Sequence, residues 1–467
     1  MRVCLIALPY YAGRPYPPLP RSTEPLSLAW LAAPLVAAGH HVEVLDLHLA
    51  SVRRFGPRAN DRMIESLMQP QRWRARLTRK APLLRLMDEA IATTMRAGCA
   101  VVAANADLAP LCLHALACAK DLAPTVVTVV GGHNATAHAR DFAREPCVDF
   151  VVVGEGDLVL RDLVDALARS EPVTRVAGLC VSSGDGPELT SAAAPPDLSQ
   201  LGPPARQLLA MAAYGAQNHS VAMLATRGCT GSCSFCGRKL STGLRRPPVA
   251  AVLDELEQVV DAYDTRVVHF YDNTLNASPT FLAALCDGML SRGLALRWTC
   301  LARPERLDDE LTRLMARAGC VLISFGLESG AAHLLRGLNK GIDLGDAQAI
   351  LARCHRHGIS TRATFVYDLP AETLVDLGRT IALLAAAHID LATFWPLELQ
   401  PAAPIIQTLG GCLSPAPQAY GLPRRNRSLG GRLLLHGKHR LFGALNAYYH
   451  HKAERLGARL GLAGPTG

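Results

Sequence analysis

The chain has 467 residues, 49% hydrophobic and 19% charged, a balance that excludes a disordered or low-complexity protein. It contains no run of about 18 apolar residues, so no transmembrane helix is expected. The net charge is +8, and the length exceeds what one hydrophobic core ordinarily supports, so two domains with appendages are expected.

The first 185 residues read as an α/β unit. A buried-strand run over 3–8 stops at Pro9, too short and too soon broken for a signal peptide, so a cytoplasmic protein is expected. A helical pattern over 26–38 ends at Gly39, and a strand follows over 41–46. Strand, helix and strand in so short a span make a βαβ unit with a parallel sheet. An inserted helical region, roughly 58–97, precedes strands over 100–104, 125–130 and 150–153. The last two strands run into glycine-bearing turns, Gly131-Gly132-His133 and Gly154-Glu155-Gly156. Ligands of open α/β sheets sit beyond the carboxyl ends of the strands, and glycine lets a backbone approach something large.

Residues 186–220 are rich in Ala, Pro and Ser and read as a linker with one short helix near 206–213. From 221 to about 401, strands and helices alternate six times. Strands are expected over 221–226, 267–271, 295–301, 321–327, 360–367 and 391–398. Helical patterns fill the gaps at 252–263, 279–291, 308–318, 344–356 and 372–387. Six βα repeats give a partial barrel, with function gathered at the carboxyl ends of its strands. The remainder, 406–467, contains an amphipathic stretch over 433–460 and is basic: nine Lys/Arg follow Gly421 against one acid, Glu454. A second basic stretch holds Arg72, Arg74, Arg76 and Arg79. Such stretches are more often solvated faces than nucleic-acid sites, and no RNA-binding module accompanies them.

The first barrel strand leads into a loop bearing Cys229, Cys233 and Cys236, spaced C-x3-C-x2-C. A structural zinc site needs four ligands, usually from two knuckles, and no second knuckle lies nearby. The other cysteines, such as Cys4, Cys99, Cys112, Cys118, Cys286 and Cys320, stand singly in apolar segments, as small buried hydrophobes do. Three thiolates on a four-iron cluster leave one iron open to a small molecule, whereas four saturate it.

The loop, with Phe235 just before its last cysteine, resembles the signature of the radical S-adenosylmethionine (radical SAM) superfamily. The resemblance implies a [4Fe-4S] cluster on Cys229, Cys233 and Cys236, with S-adenosylmethionine on the open iron and a 5′-deoxyadenosyl radical as the oxidant. Ser324–Gly330 resembles a superfamily motif that contacts S-adenosylmethionine through Glu328, and Arg303 suits the methionine carboxylate. Tyr271 and Asp272, at the end of the second barrel strand, are candidates for proton handling from position alone. The segment around Asp368 and Ala371 departs from the superfamily's G-x-P-G-E-T by losing both glycines, and Pro401–Pro404 also lacks an expected glycine, which bears on substrate contacts.

The N-terminal unit resembles the cobalamin-binding domain of B12-dependent radical SAM enzymes. The matching pieces are the opening strand with Pro9, the run from Gly39 to Asp46, and the turns at Gly131, Gly132, His133 and at Gly154, Glu155, Gly156. Asp46-Leu-His48 imitates a cobalt-ligating motif only superficially, with Ser51 where glycine belongs, so no histidine ligand to cobalt is expected from it.

The resemblance implies a Rossmann-like cobalamin domain (1–185), a linker (186–220), a partial (βα)6 radical SAM barrel (221–405) and a helical basic C-terminal region (406–467). The implied activity is methyl transfer to an unactivated carbon of a small-molecule or peptide substrate, with electrons from a donor such as flavodoxin or ferredoxin. Alternatives are a cyclase, rearrangement or peptide-maturing enzyme of the same architecture, or a non-catalytic cobalamin or Fe–S sensor. Transfer RNA modification is a weaker alternative. Neither a membrane nor a nucleic-acid partner is expected.

Overall fold

The structure is a computed structural model that describes residues 1–10, 23–67, 81–218, 220–237, 243–400, 403–409 and 429–462. The arginine-rich run containing Arg72 to Arg79 and residues 401–402 lie outside these. The chain divides into two compact units, one built around Pro25–Ala210 with the first strand, the other around Met211–Ser414 with the C-terminal helix.

The first unit holds a seven-stranded sheet: β1 Arg2–Ala7, β2 His41–Asp46, β3 Val101–Asn105, β4 Val127–Gly131, β5 Phe150–Val152, β6 Leu179–Ser183 and β7 Gly186–Leu189. The order is β2-β1-β3-β4-β5-β6-β7, parallel through β5 and antiparallel beyond it. Its helices are α1 Leu26–Ala37, α2 Leu47–Phe55, α3 Pro57–Leu67, α4 Pro82–Arg96, α5 Ala109–Leu122, α6 His133–Ala137 and α7 Gly156–Ala168. Alternation along β1 sends Cys4 and Ile6 into a core with Met87 and Ile91 of α4 and Leu116 of α5. Val3 and Leu5 enter the opposite core, with Leu35 of α1 and Leu163 of α7. A sheet buried on both faces explains the near-continuous apolar strands. The strand order reverses between β1 and β3, the switch point where open α/β sheets bind ligands.

The expected boundary at 185 moves to 210. The stretch read as linker begins with β7, which pairs antiparallel with β6, so its first residues extend this sheet. The short helix expected near 206–213 is a 3-10 turn, Arg206–Leu208, followed by a separate helix, Met211–Asn218.

The second unit carries a six-stranded all-parallel sheet: β8 Ser220–Met223, β9 Val267–Phe270, β10 Arg297–Ala302, β11 Cys320–Glu328, β12 Ser360–Tyr367 and β13 Leu391–Pro396. The strands lie in sequence order, as a partial βα barrel requires. Its helices include α8 Val249–Tyr263, α9 Pro279–Ser291, α10 Asp309–Arg317, α11 Ala332–Gly337, α12 Leu344–Arg356, α13 Leu374–Ala386 and α14 Leu429–Arg459. Helix α10 starts where the Asp308 side chain accepts from Leu311 N–H, and α13 where Thr373 and Asp376 form a capping box.

The C-terminal helix α14 belongs to this unit, not to a separate region. It lies along β13, the edge strand, where the Asn446 carboxamide accepts from Phe394 N–H at 2.9 Å and donates to its C=O at 2.9 Å. Phe442 stacks between Tyr367 and Phe394, and Ala453 and Leu456 pack with Leu322 and Leu391. Lys438 forms a 2.6 Å buried ion pair with Glu372, and His439 Nδ1 shares a 2.5 Å hydrogen bond with the Tyr367 hydroxyl.

Candidate functional site

The cysteine loop leaves β8 and is held from three directions. After β9, three consecutive residues address it. Both carboxylate oxygens of Asp272 accept from the loop's start, Oδ2 from Ala225 N–H at 3.1 Å and Oδ1 from Thr226 N–H and hydroxyl. Asn273 donates to Gly228 C=O at 3.5 Å, and the Thr274 hydroxyl lies 3.3 Å from Cys229 Sγ. After β10, Arg303 reaches Cys233 Sγ at 3.6 Å. Just past α11, Asn339 donates to Ser232 C=O at 3.0 Å, while Ser234 N–H donates to Leu338 C=O at 2.8 Å.

Asp272 is fully buried, and burial pushes its carboxyl up to about 6 against the hydrogen bonds that lower it. This places it as a clamp on the loop rather than at a solvent-facing position for moving protons. Tyr271 is half-buried and donates its N–H to Met223 C=O at 2.9 Å. Arg303 is engaged on all sides: it pairs with Glu305 and donates to Lys340 C=O, and Asn276 bonds both its N–H and C=O.

Glu328 sits at a register shift in β11 with φ +63 and forms a 2.6 Å ion pair with Lys340, both side chains buried. The same ammonium lies 5.8 Å from the centre of the Phe235 ring, which packs against an apolar group with Leu338, Leu369 and Ile405. Lys340, Asn276 and Thr274 escaped the sequence reading, because each acts through contacts distant in the chain. Gly231, Thr274, Asn276, Arg303, Asn339 and Lys340 share the lining of one polar cleft beside the loop.

Among the described residues no three His, Cys, Asp or Glu side chains are already gathered as a metal-binding group. The three thiols are free, and Cys229 Sγ accepts from Gly231 N–H at 3.3 Å. Donors aimed at two of the three sulfurs suit thiolate ligands, so the donor set fits an iron–sulfur cluster once the thiols draw together.

In the first unit, the turns expected to approach a large ligand lie side by side at the carboxyl ends of β4 and β5. Thr136 joins them: its hydroxyl accepts from Gly154 N–H at 3.0 Å and donates to Gly132 C=O at 2.9 Å. At Gly132, φ is +98, and any Cβ would stand 2.9 Å from the Asn105 carboxamide at the end of β3. Gly154 has open space where a Cβ would be, whereas a Cβ at Gly156 would stand 3.1 Å from the Leu31 side chain of α1. The open space at Gly154 leaves room for a broad ligand at these strand ends, beside Gly131, Gly132, His133, Glu155 and Gly156. His48 is not incidental. It is buried, stacks on Tyr10 at 3.6 Å and accepts from Tyr10 N–H at 3.3 Å, while the Asn60 carboxamide donates to Tyr10 C=O at 2.8 Å. Burial pushes the imidazole down to about 4, so it is neutral, and the residue after Pro9 is fixed on both sides.

Residues 223–384 match the model of the radical SAM superfamily. An uncharacterized methyltransferase of Pyrococcus horikoshii is 28% identical over 59% of this chain and 61% of its own length. The anaerobic magnesium-protoporphyrin IX monomethyl ester cyclase of Rubrivivax gelatinosus is 28% identical over 62% of this chain and 55% of its own length. The chain thus spans less than two thirds of these relatives. In fold it is similar to the radical SAM methyltransferase TsrM of Kitasatospora setae, with a TM-score of 0.70 at 20% identity over 89% of this chain and 77% of that one. The superfamily match begins in β8 and contains the cysteine loop, so residues 223–384, within a partial barrel preceded by a Rossmann-like sheet, form a radical SAM domain.

Proposed function

We propose that the protein is a cobalamin-dependent radical SAM methyltransferase acting on an unactivated carbon of a small molecule or peptide. The observation that carries this reading is the cysteine loop, which is tied to the β9 and β10 tails with donors on Cys229 and Cys233. The TsrM structure was solved with cobalamin and a [4Fe-4S] cluster, and the two-unit architecture here is of the same kind. When bound, the cluster with S-adenosylmethionine supplies a 5′-deoxyadenosyl radical, and cobalamin supplies a methyl carrier.

The chain's own residues do the rest. Cys229, Cys233 and Cys236 hold the cluster, and Asp272 fixes where the loop starts. Glu328, paired with Lys340, accepts from donors of S-adenosylmethionine, and Phe235 covers the loop's apolar side. Arg303 reaches the same cleft, with its nitrogens shared among Glu305, Lys340 and Cys233. Gly131, Gly132, His133, Gly154, Glu155 and Gly156 receive the corrin, with Pro9 just past the carboxyl end of β1 at the same end of the parallel sheet. Tyr271 borders the loop.

A cytoplasmic setting and an electron donor such as flavodoxin or ferredoxin complete this reading. No described helix is long and apolar enough to cross a membrane. Two of the tail's basic side chains are already engaged within the protein, Lys438 with Glu372 and Lys452 over Tyr449.

The test is anaerobic reconstitution with iron and sulfide, then reduction with S-adenosylmethionine. The parent takes up a cluster and releases 5′-deoxyadenosine, and serine at any of the three cysteines abolishes both. Zinc in place of iron and sulfide, or serine variants that still turn over, sinks the proposal. Cyclisation without methyl transfer is the second reading, favoured by the cyclase relative. Product mass separates them, because methylation adds a methyl group and oxidative cyclisation removes hydrogens.

A further inference from the structure

We propose that Thr274 sets the reduction potential of the cluster by donating its hydroxyl hydrogen to Cys229 Sγ. The inference rests on the reading of the loop as a cluster site and concerns how that site is tuned. Thr274 is only 2% exposed, so no water competes for its hydroxyl. Its Oγ1 stands 2.6 Å from Asn273 C=O and 3.3 Å from Cys229 Sγ. The hydroxyl has one hydrogen to give. While Cys229 is a thiol, it donates to Thr274 Oγ1, which in turn donates to Asn273 C=O. A thiolate bound to iron carries no hydrogen and can only accept. The hydroxyl hydrogen then turns from the Asn273 carbonyl to the sulfur, and the hydrogen bond reverses direction.

Its effect on potential follows from charge. An added electron increases negative charge on the cluster's sulfurs, so a donor at Cys229 stabilises the reduced form more than the oxidised form. Gly231 N–H already supplies one such donor to the same sulfur, fixed by the backbone. Arg303 supplies another to Cys233 but also carries three other bonds that hold the cleft together. Thr274 is therefore the donor whose removal changes neither net charge nor backbone. It lines the cleft beside the loop and acts on the cluster through Cys229.

The experiment is a redox titration of the reconstituted holoenzyme without substrate, followed by electron paramagnetic resonance. The forms compared are the parent, Thr274→Val, Thr274→Ala and Thr274→Ser. Valine keeps the shape without the donor, alanine stands in should valine fold poorly, and serine restores the hydroxyl. At a fixed potential the reduced-to-oxidised ratio is expected to fall about tenfold in the valine and alanine forms, ~59 mV to more negative potential for a one-electron couple. Serine is expected to match the parent. Valine and alanine forms at the parent's potential with intact clusters overturn the proposal, as does a serine form shifted as far as valine. A parent that takes up no iron and sulfide removes the cluster reading itself, a different failure seen before any titration begins.

Discussion

Ala371→Gly offers a clean measure of what the departure from the superfamily's turn costs. The sequence puts Asp368 and Ala371 where glycines are usual, and the structure keeps both in the left-handed region, with φ +65 and +61. Holding an L-residue there costs roughly 1–2 kcal/mol against the right-handed region, and glycine removes that cost. Glycine also loosens the unfolded chain, which returns about 0.4–1 kcal/mol. Ala371 is exposed, so deleting its methyl group forfeits almost no burial. The net expectation is a gain of about 0.5–1 kcal/mol, or ~1–4 °C in the melting transition of a unit this size. Ala371→Val should move the other way, since a β-branched side chain tolerates positive φ worse. Calorimetry of the three forms checks this, and a glycine variant no more stable than the parent refutes the strain assignment. Position 368 is less suitable, because Asp368 N–H is itself bound by Glu372 at 2.8 Å.

Lys340→Met should strand the Glu328 carboxylate in a buried site and cost about 3–5 kcal/mol, while the double variant with Glu328→Leu should regain most of it. Urea unfolding of the two singles and the double closes the cycle, and additive losses would show that the two groups do not depend on each other. Asp272 gives a pH signature. Its carboxyl is raised from the ordinary 3.8 to about 6 by burial, so the unfolded chain releases the proton first as pH rises. Stability therefore falls through the window from about pH 4 to 6, by about 3 kcal/mol for this group, and levels off above it. Asp272→Asn should flatten that part of the profile, and an unchanged slope would contradict the assignment.

The cysteine loop, strands β1–β5 and β8–β13, and the glycine turns follow local patterns: spacing in a loop, apolar runs of strand length, turn residues after them. All six barrel strands lie within a few residues of their expected places for that reason. Three features had no local pattern to announce them. β7 is short and carries Gly186 and Pro187, so only its pairing with β6 makes it a strand. Lys340 meets Glu328 across a helix, and Asn276 holds Arg303 from 27 residues away. Side-chain bonds to distant backbone leave no period in the sequence, so the clamp role of Asp272 emerges only when β8 and β9 are seen together.

Asn446 carries a consequence for solubility. An incomplete barrel leaves its last strand with unsatisfied amides, and an unprotected margin of that kind recruits strands from other molecules. By engaging both main-chain groups of Phe394, one carboxamide imitates a neighbouring strand at the middle of β13. The terminal helix thus serves as a cover that ends the sheet, and the fold can stop at six strands without offering itself as a template.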